Sequence, residues 1–319
     1  PFVLPDYRVD ANSPLDSGSV VLAVVGMLLF VYGAQSFGGD SLRVVAAVVL
    51  VAGLAALVAF VRRQRRIPEP VLDVGLFADP RVRTVAAGMC LAAVVISGSN
   101  FFVSQQLQAV FGLAPVRAGS VLAPAAAASI VGYLLSARLQ RRFGPRAVIV
   151  SGFAIGAVGL AAFTTVAFAP SVAAVLVAGV VMSFGLGGAI AACATVLVTS
   201  VPTDRSGSTA VVQEASSQLG VVLGFAVVGP VGTALYRELV IRGSPAGSSE
   251  QALDQARSTV GAAVSLPPQW ADLIDVARDA FSTSFAICAG VSAAALVALA
   301  WWCRRSLPAP SSPGTGTSA

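Results

Sequence analysis

The chain has 319 residues, of which 56% are hydrophobic and 11% charged, with a mean hydropathy of +0.84 and a formal net charge of +5. A soluble domain keeps roughly a quarter of its residues charged, so water is not the main solvent of this chain. Its 20 basic residues are all arginine and come in short clusters between long apolar runs, which argues against a nucleic-acid-binding face, and the absence of histidine disfavours metal sites and His-based enzymes. The composition predicts an all-α polytopic membrane protein.

In chain order, residues 1–17 read as a cytoplasmic linker. The start at Pro1, without Met or a cleavable signal peptide, reads as that of a fragment or a trimmed chain. Eight stretches are apolar and long enough to cross a bilayer core, which takes about 20 residues. They run near 18–35, 42–61, 84–104, 118–138, 147–168, 172–199, 208–236 and 281–303.

Lys and Arg are retained in cytoplasmic loops. With the N-terminus inside, fourteen arginines collect on that side, including the run Arg62, Arg63, Arg65, Arg66, and six on the other. Both termini are thus expected in the cytoplasm, with 62–83 a basic cytoplasmic loop. Residues 237–280 read as a polar external excursion with a helical stretch at 249–263, and the Pro- and Ser-rich tail 306–319 as disordered. The four cysteines lie in or beside apolar runs without CxxC spacing and read as small buried apolar residues.

Glu214 is the one acidic residue clearly inside an apolar run. A carboxylate there costs several kcal/mol, about 2.5–3.5 at a helix centre, and is by default a functional candidate. One reading makes it a proton or cation site with Gln213 and Gln218 lining the same polar cavity; the other places it near the cytoplasmic interface, paired with Arg205 or solvated. The third span carries Asn100, Phe101 and Gln105 within a polar and aromatic patch, which suits a cavity for a lipophilic substrate or, alternatively, an interfacial helix end. Gly229 and Pro230 mark a helix kink in the seventh span, where proline frees a backbone carbonyl. The glycines of the fifth and sixth spans read as close helix packing or as bending points. The loop carrying Arg138, Arg142, Gly144 and Arg146 turns at Gly-Pro; its arginines are a topology signal or a gating latch.

Several of these segments, in this order, resemble one family. They are Gly26-Met-Leu-Leu-Phe-Val-Tyr-Gly33, Pro70-Val-Leu-Asp-Val-Gly-Leu-Phe77, Phe101-Phe-Val-Ser-Gln-Gln-Leu-Gln-Ala-Val-Phe-Gly112 with Arg117-Ala-Gly119 and Pro124, Arg142-Phe-Gly-Pro-Arg146, and Gln213-Glu214-x3-Gln218-Leu-Gly-x3-Gly224. The likeness is to the fourteen-helix drug:proton antiporter branch of the major facilitator superfamily, near the QacA- and SmvA-like multidrug exporters, and it runs from about Pro14 to Arg305.

The resemblance implies that 18–61 are the two extra central helices and 84–305 the C-terminal six-helix bundle, with the N-terminal bundle missing from this chain. It implies an acidic site for protons or cations at Glu214, no cofactor beyond a proton gradient as energy source, and lipophilic, cationic cargo, with no enzymatic activity and no nucleic-acid partner. One departure is that Arg141 stands where the family loop often has Asp, which argues against a carboxylate-based latch there. Two other functions stay open: export of an endogenous metabolite or antibiotic, and a non-transporting scaffold or sensor acting through 237–280.

Overall fold

The computed structural model describes residues 16–36, 43–67, 74–165, 171–201, 206–245 and 247–308. Regular structure among them is helical. The elements are α1 (Ser17–Ser36), α2 (Arg43–Gln64), α3 (Pro80–Gln105), α4 (Pro115–Phe143), α5 (Pro145–Thr164), α6 (Val172–Thr199), α7 (Ser206–Leu223), α8 (Gly229–Gly243), α9 (Glu250–Ser258), α10 (Val260–Val264) and α11 (Ala271–Ser306). A π turn over Gln106–Val110 extends α3, and a second over Gly224–Val228 joins α7 to α8.

Seven described helical stretches are long and apolar enough to cross a membrane, and Ser17–Gly33 is a shorter apolar helix. Each of the eight apolar runs of the sequence therefore forms a helix. Their ends run a few residues past the apolar runs in several places, α3 starting at Pro80 and α4 ending at Phe143, and differ most in one region. The helix of the seventh run continues to Gly243, and α11 starts at Ala271, ten residues before its apolar run. Hydropathy registers where hydrocarbon ends, whereas a helix continues while its backbone bonds and side-chain pairs support it. Here the pairs are Glu238–Arg242 at 2.9 Å and Asp275–Arg278 at 3.2 Å. The connection that remains is folded. Ser249 caps α9, Thr259 caps α10, and Ala252, Ala256, Val260 and Ala263 bury their side chains in the common core.

Small residues set the helix spacing. A Cβ on Gly152 of α5 would lie 2.7 Å from the carbonyl oxygen of Gly185 on α6, so the two backbones touch where side chains would hold them apart. Gly132 of α4 meets α6, and Gly220 of α7 meets Cys90 of α3, in the same manner. Phe102, Phe153, Phe163 and Phe285 fill the interior, with Phe102 and Phe285 stacked at 5.4 Å. Cys193, Cys288 and Cys303 are buried, Cys90 half-buried, and all four are free.

Chain alternation brings the end of α2, the start of α3, the α4–α5 turn and the end of α11 to one arginine-rich end of the bundle. Two contacts tie it together. Asp16 before α1 takes a bidentate bond from Arg63 of α2 at 2.9 and 2.8 Å, and Arg146 of α5 donates to the carbonyl oxygen of Arg304 in α11. Arg8, Arg205 and the residues from 309 onward lie outside the described residues.

Candidate functional site

Glu214 sits eight residues into α7, about 12 Å along the axis from its first residue. Its side chain is exposed and accepts a 2.7 Å hydrogen bond from Nε2 of Gln218, also exposed, one turn further along. The i, i+4 spacing produces this contact locally. Gln213 is half-buried on a different face. Arg205, the alternative partner weighed from sequence, is outside the described residues.

The depth of Glu214 follows from helix register. Gly220 lies against Cys90 and Gly232 against Phe102, so α7–α8 runs parallel to α3 with a constant offset. That offset sets Glu214 level with Thr84, one turn from the start of α3 and in the arginine-rich half. Asn100, level with Pro230, is 16 residues further, or about 24 Å along the helix axis. The two groups of candidates therefore occupy different depths.

Asn100 is exposed and borders a cleft with Val121, Leu122, Met182 and Ser183 whose volume is about 20 Å³. That is one water's worth, far below the several hundred Å³ of a ligand pocket. Phe101 and Gln105 are half-buried, Phe101 standing edge-on to Phe102 at 5.5 Å. The neighbouring Gln106 is fully buried, donates from Nε2 to Ser282 Oγ of α11 at 2.9 Å, and leaves its Oε1 without a partner among the described residues. The sequence signal for its burial is that it lies one helical turn after buried Phe102; its bond to α11 has no local signal.

A larger space in the fold has no local signal in the sequence. A groove of about 450 Å³ runs between α4 and α6, lined by Tyr133, Ala137, Gln140, Thr195 and Thr199 among others. Its mix of a tyrosine, two threonine hydroxyls, an amide and apolar walls suits an amphipathic ligand. Ser136 beneath it bonds the Gly188 carbonyl at 2.9 Å and accepts from Gln140 at 3.0 Å, which fixes the two helices at that point. The groove lies in the same arginine-rich half as Glu214.

Gly144 turns α4 into α5 at φ +81, a backbone region that favours glycine, and Pro145 opens α5. Arg138 and Arg142 are exposed, Arg142 over the Phe143 ring at 5.3 Å. Gly229 and Pro230 open α8 directly after the π turn, where the proline supplies no N–H to the preceding ladder.

The family model described as the Major Facilitator Superfamily matches residues 3–225. The multidrug efflux pump LfrA of Mycolicibacterium smegmatis is 34% identical over 306 residues, covering 94% of this chain and 60% of that protein. The methyl viologen resistance protein SmvA of Salmonella typhimurium is 27% identical over 300 residues, covering 91% of this chain and 60% of that protein. Among solved structures, a bacterial homologue of the lysosomal transporter Spinster, inward-facing and unoccupied, superposes with a TM-score of 0.55 at 17% identity, covering 91% of this chain and 68% of that one.

Proposed function

The chain belongs to the major facilitator superfamily, a family of membrane transporters rather than enzymes, and on that premise we propose that it is the C-terminal part of a proton-coupled multidrug exporter. Its relatives are efflux pumps, of which the chain spans 60% of the length, so the eight helices stand as the last eight of fourteen. The first two, α1 and α2, are the central pair. The remaining helices form one of two bundles that alternate access around a site between them, in the plasma membrane with both termini of this chain cytoplasmic.

The observation that carries the reading is Glu214, a carboxylate on an apolar helix, exposed and, among the described residues, held by one exposed amide. Ionised, it attracts a lipophilic cation; protonated, it loses that attraction and releases the cargo. Proton entry from outside and cation release to the outside thus compete for one group. Exchange of one proton for one monovalent cation is electroneutral, so each pH unit across the membrane sustains about a tenfold cation gradient. A relative named for resistance to methyl viologen, itself a cation, supports the cargo class. The groove between α4 and α6 supplies an amphipathic wall in the same half.

The test is energised efflux of a fluorescent lipophilic cation from cells making the full-length protein, with wild type and Glu214→Gln compared with and without a protonophore. Efflux should fall to the uncoupled level in the variant. Undiminished efflux in both the variant and the uncoupled cells would remove the proposal.

A further inference from the structure

The arginine run that closes the second helix does more in the folded chain than mark an end. Ala55, Ala59 and Arg62 share one face of α2 by their i, i+4 and i+7 spacing, and with Leu22 of α1, Val58, Arg63 and, past the end of the helix, Arg66 and Ile67 they line an open groove of about 740 Å³. Small apolar residues occupy its deeper part and guanidinium groups its mouth. From Ala55 to Arg63 the groove runs about 12 Å along α2, less than half of a hydrocarbon core of about 30 Å, so its helical part stays within a single leaflet.

The three arginines of the mouth are not equivalent. Arg63 is committed to Asp16, which also accepts from Ser19 Oγ at 2.5 Å, and Gly18 leaves it room, since a Cβ there would stand 3.0 Å from Nη2. Arg62 and Arg66 are exposed and form no ion pair among the described residues. Arg62 stands in the last turn of α2 and Arg66 in the turn that follows it, so two like charges line one groove with no carboxylate between them among the described residues. The groove thus offers cationic, bidentate donors at the membrane surface beside an open apolar strip that runs along α2 towards the bilayer centre.

We propose that this groove binds an anionic glycerophospholipid of the leaflet at the arginine-rich end, its phosphate held by Arg62 and Arg66 and one acyl chain laid along Val58, Ala59 and Ala55. The occupant is a lipid because a free anion would use the mouth alone and leave the apolar floor uncovered. A bound lipid would fasten α1 and α2 to the leaflet on which the transporter bundle moves.

The full-length protein, reconstituted in bilayers of equal phosphatidylcholine and phosphatidylglycerol, is released into detergent and its retained lipids counted by native mass spectrometry. Two arginines at a membrane surface predict a preference for phosphatidylglycerol of about 30-fold. Arg62→Gln/Arg66→Gln should bring retention close to parity without shifting the melting temperature, and Ala59→Phe, which fills the groove and keeps every charge, should also lower it. Arg138→Gln/Arg141→Gln, an equal charge loss at the same end, should retain the preference. The proposal is overturned if the first double variant keeps the preference, if the α4 double variant loses as much, if Ala59→Phe has no effect, or if millimolar inorganic phosphate displaces the lipid.

Discussion

Two amide contacts invite comparison. Gln218 bonds Glu214 at 2.7 Å on α7, and Gln106 bonds Ser282 at 2.9 Å between α3 and α11. As hydrogen bonds they are alike. The first pair is exposed, so either partner can exchange its bond for another at little net cost. The second lies in the core with an unpaired oxygen, and an orphaned buried acceptor costs about 1–3 kcal/mol. Environment rather than bond geometry separates them: the Glu214 pair is open to exchange its bond, as the proposed role in proton and cargo binding requires, and the Gln106 pair fixes two helices beside a π turn.

The largest stability effect should come from reversing the charge states of the two sites. Gln106→Glu places a carboxylate in the core with no cation beside it, at a cost of about 3 kcal/mol or more, read as a lowered melting temperature of the purified protein. Because the protonated acid is neutral, part of that loss should return as the pH is lowered. Glu214→Gln should leave the same melt unchanged within about 0.5 kcal/mol, as expected of an exposed site, even as it removes efflux. The opposite pattern, a tolerant Gln106 and a fragile Glu214, would break the comparison.

A smaller effect should follow at the far end of the same helices. Tyr236 is buried, stands edge-on to Phe281, and donates from its hydroxyl to the Ala256 carbonyl at 2.6 Å, pinning α9 onto α8. Tyr236→Phe keeps the ring and removes that bond, for about 1 kcal/mol. Faster amide hydrogen exchange confined to 250–264 would place the bond as the tether of the connection; unchanged exchange there would assign that role to apolar packing alone.

Much of this was legible in the residues, and the limits have physical causes. The eight apolar runs each form a helix because a helix satisfies the backbone of a spanning segment within itself, and continuous runs of about 20 apolar residues lack the alternation of a barrel strand. Glu214 stood out because it is the lone acid in an apolar run, and Gln218 was within reach by spacing alone. The helix ends near Gly243 and Ala271 were not legible, since hydropathy falls before the helix does. Gln106 appeared in the sequence only as one member of a polar patch; its role depends on Ser282, 176 residues away, and only the fold brings them together. The groove between α4 and α6 was hidden for the same reason, because Tyr133 and Thr195 lie on separate helices.

The smallest effect belongs to the exposed ion pair at the base of the central helices. The Arg63 guanidinium, followed by the Ser19 hydroxyl, holds the Asp16 carboxyl well below the usual carboxylate range. A carboxyl whose value is depressed in the folded state contributes stability that is present above its ordinary value of 3.8 and is lost as the pH falls towards the depressed one. Asp16→Asn should therefore lower the melting temperature slightly and by a constant amount between pH 5 and 8, taken as roughly the plateau of that linkage, with the difference from wild type shrinking only in acid. Salt should shrink it too, because the pair is solvent-facing and screened. A difference that grew on acidification would mean that Arg63 does not hold Asp16 ionised, and that close packing of the two helices, with Gly33 against the Leu50 backbone, secures the pair alone.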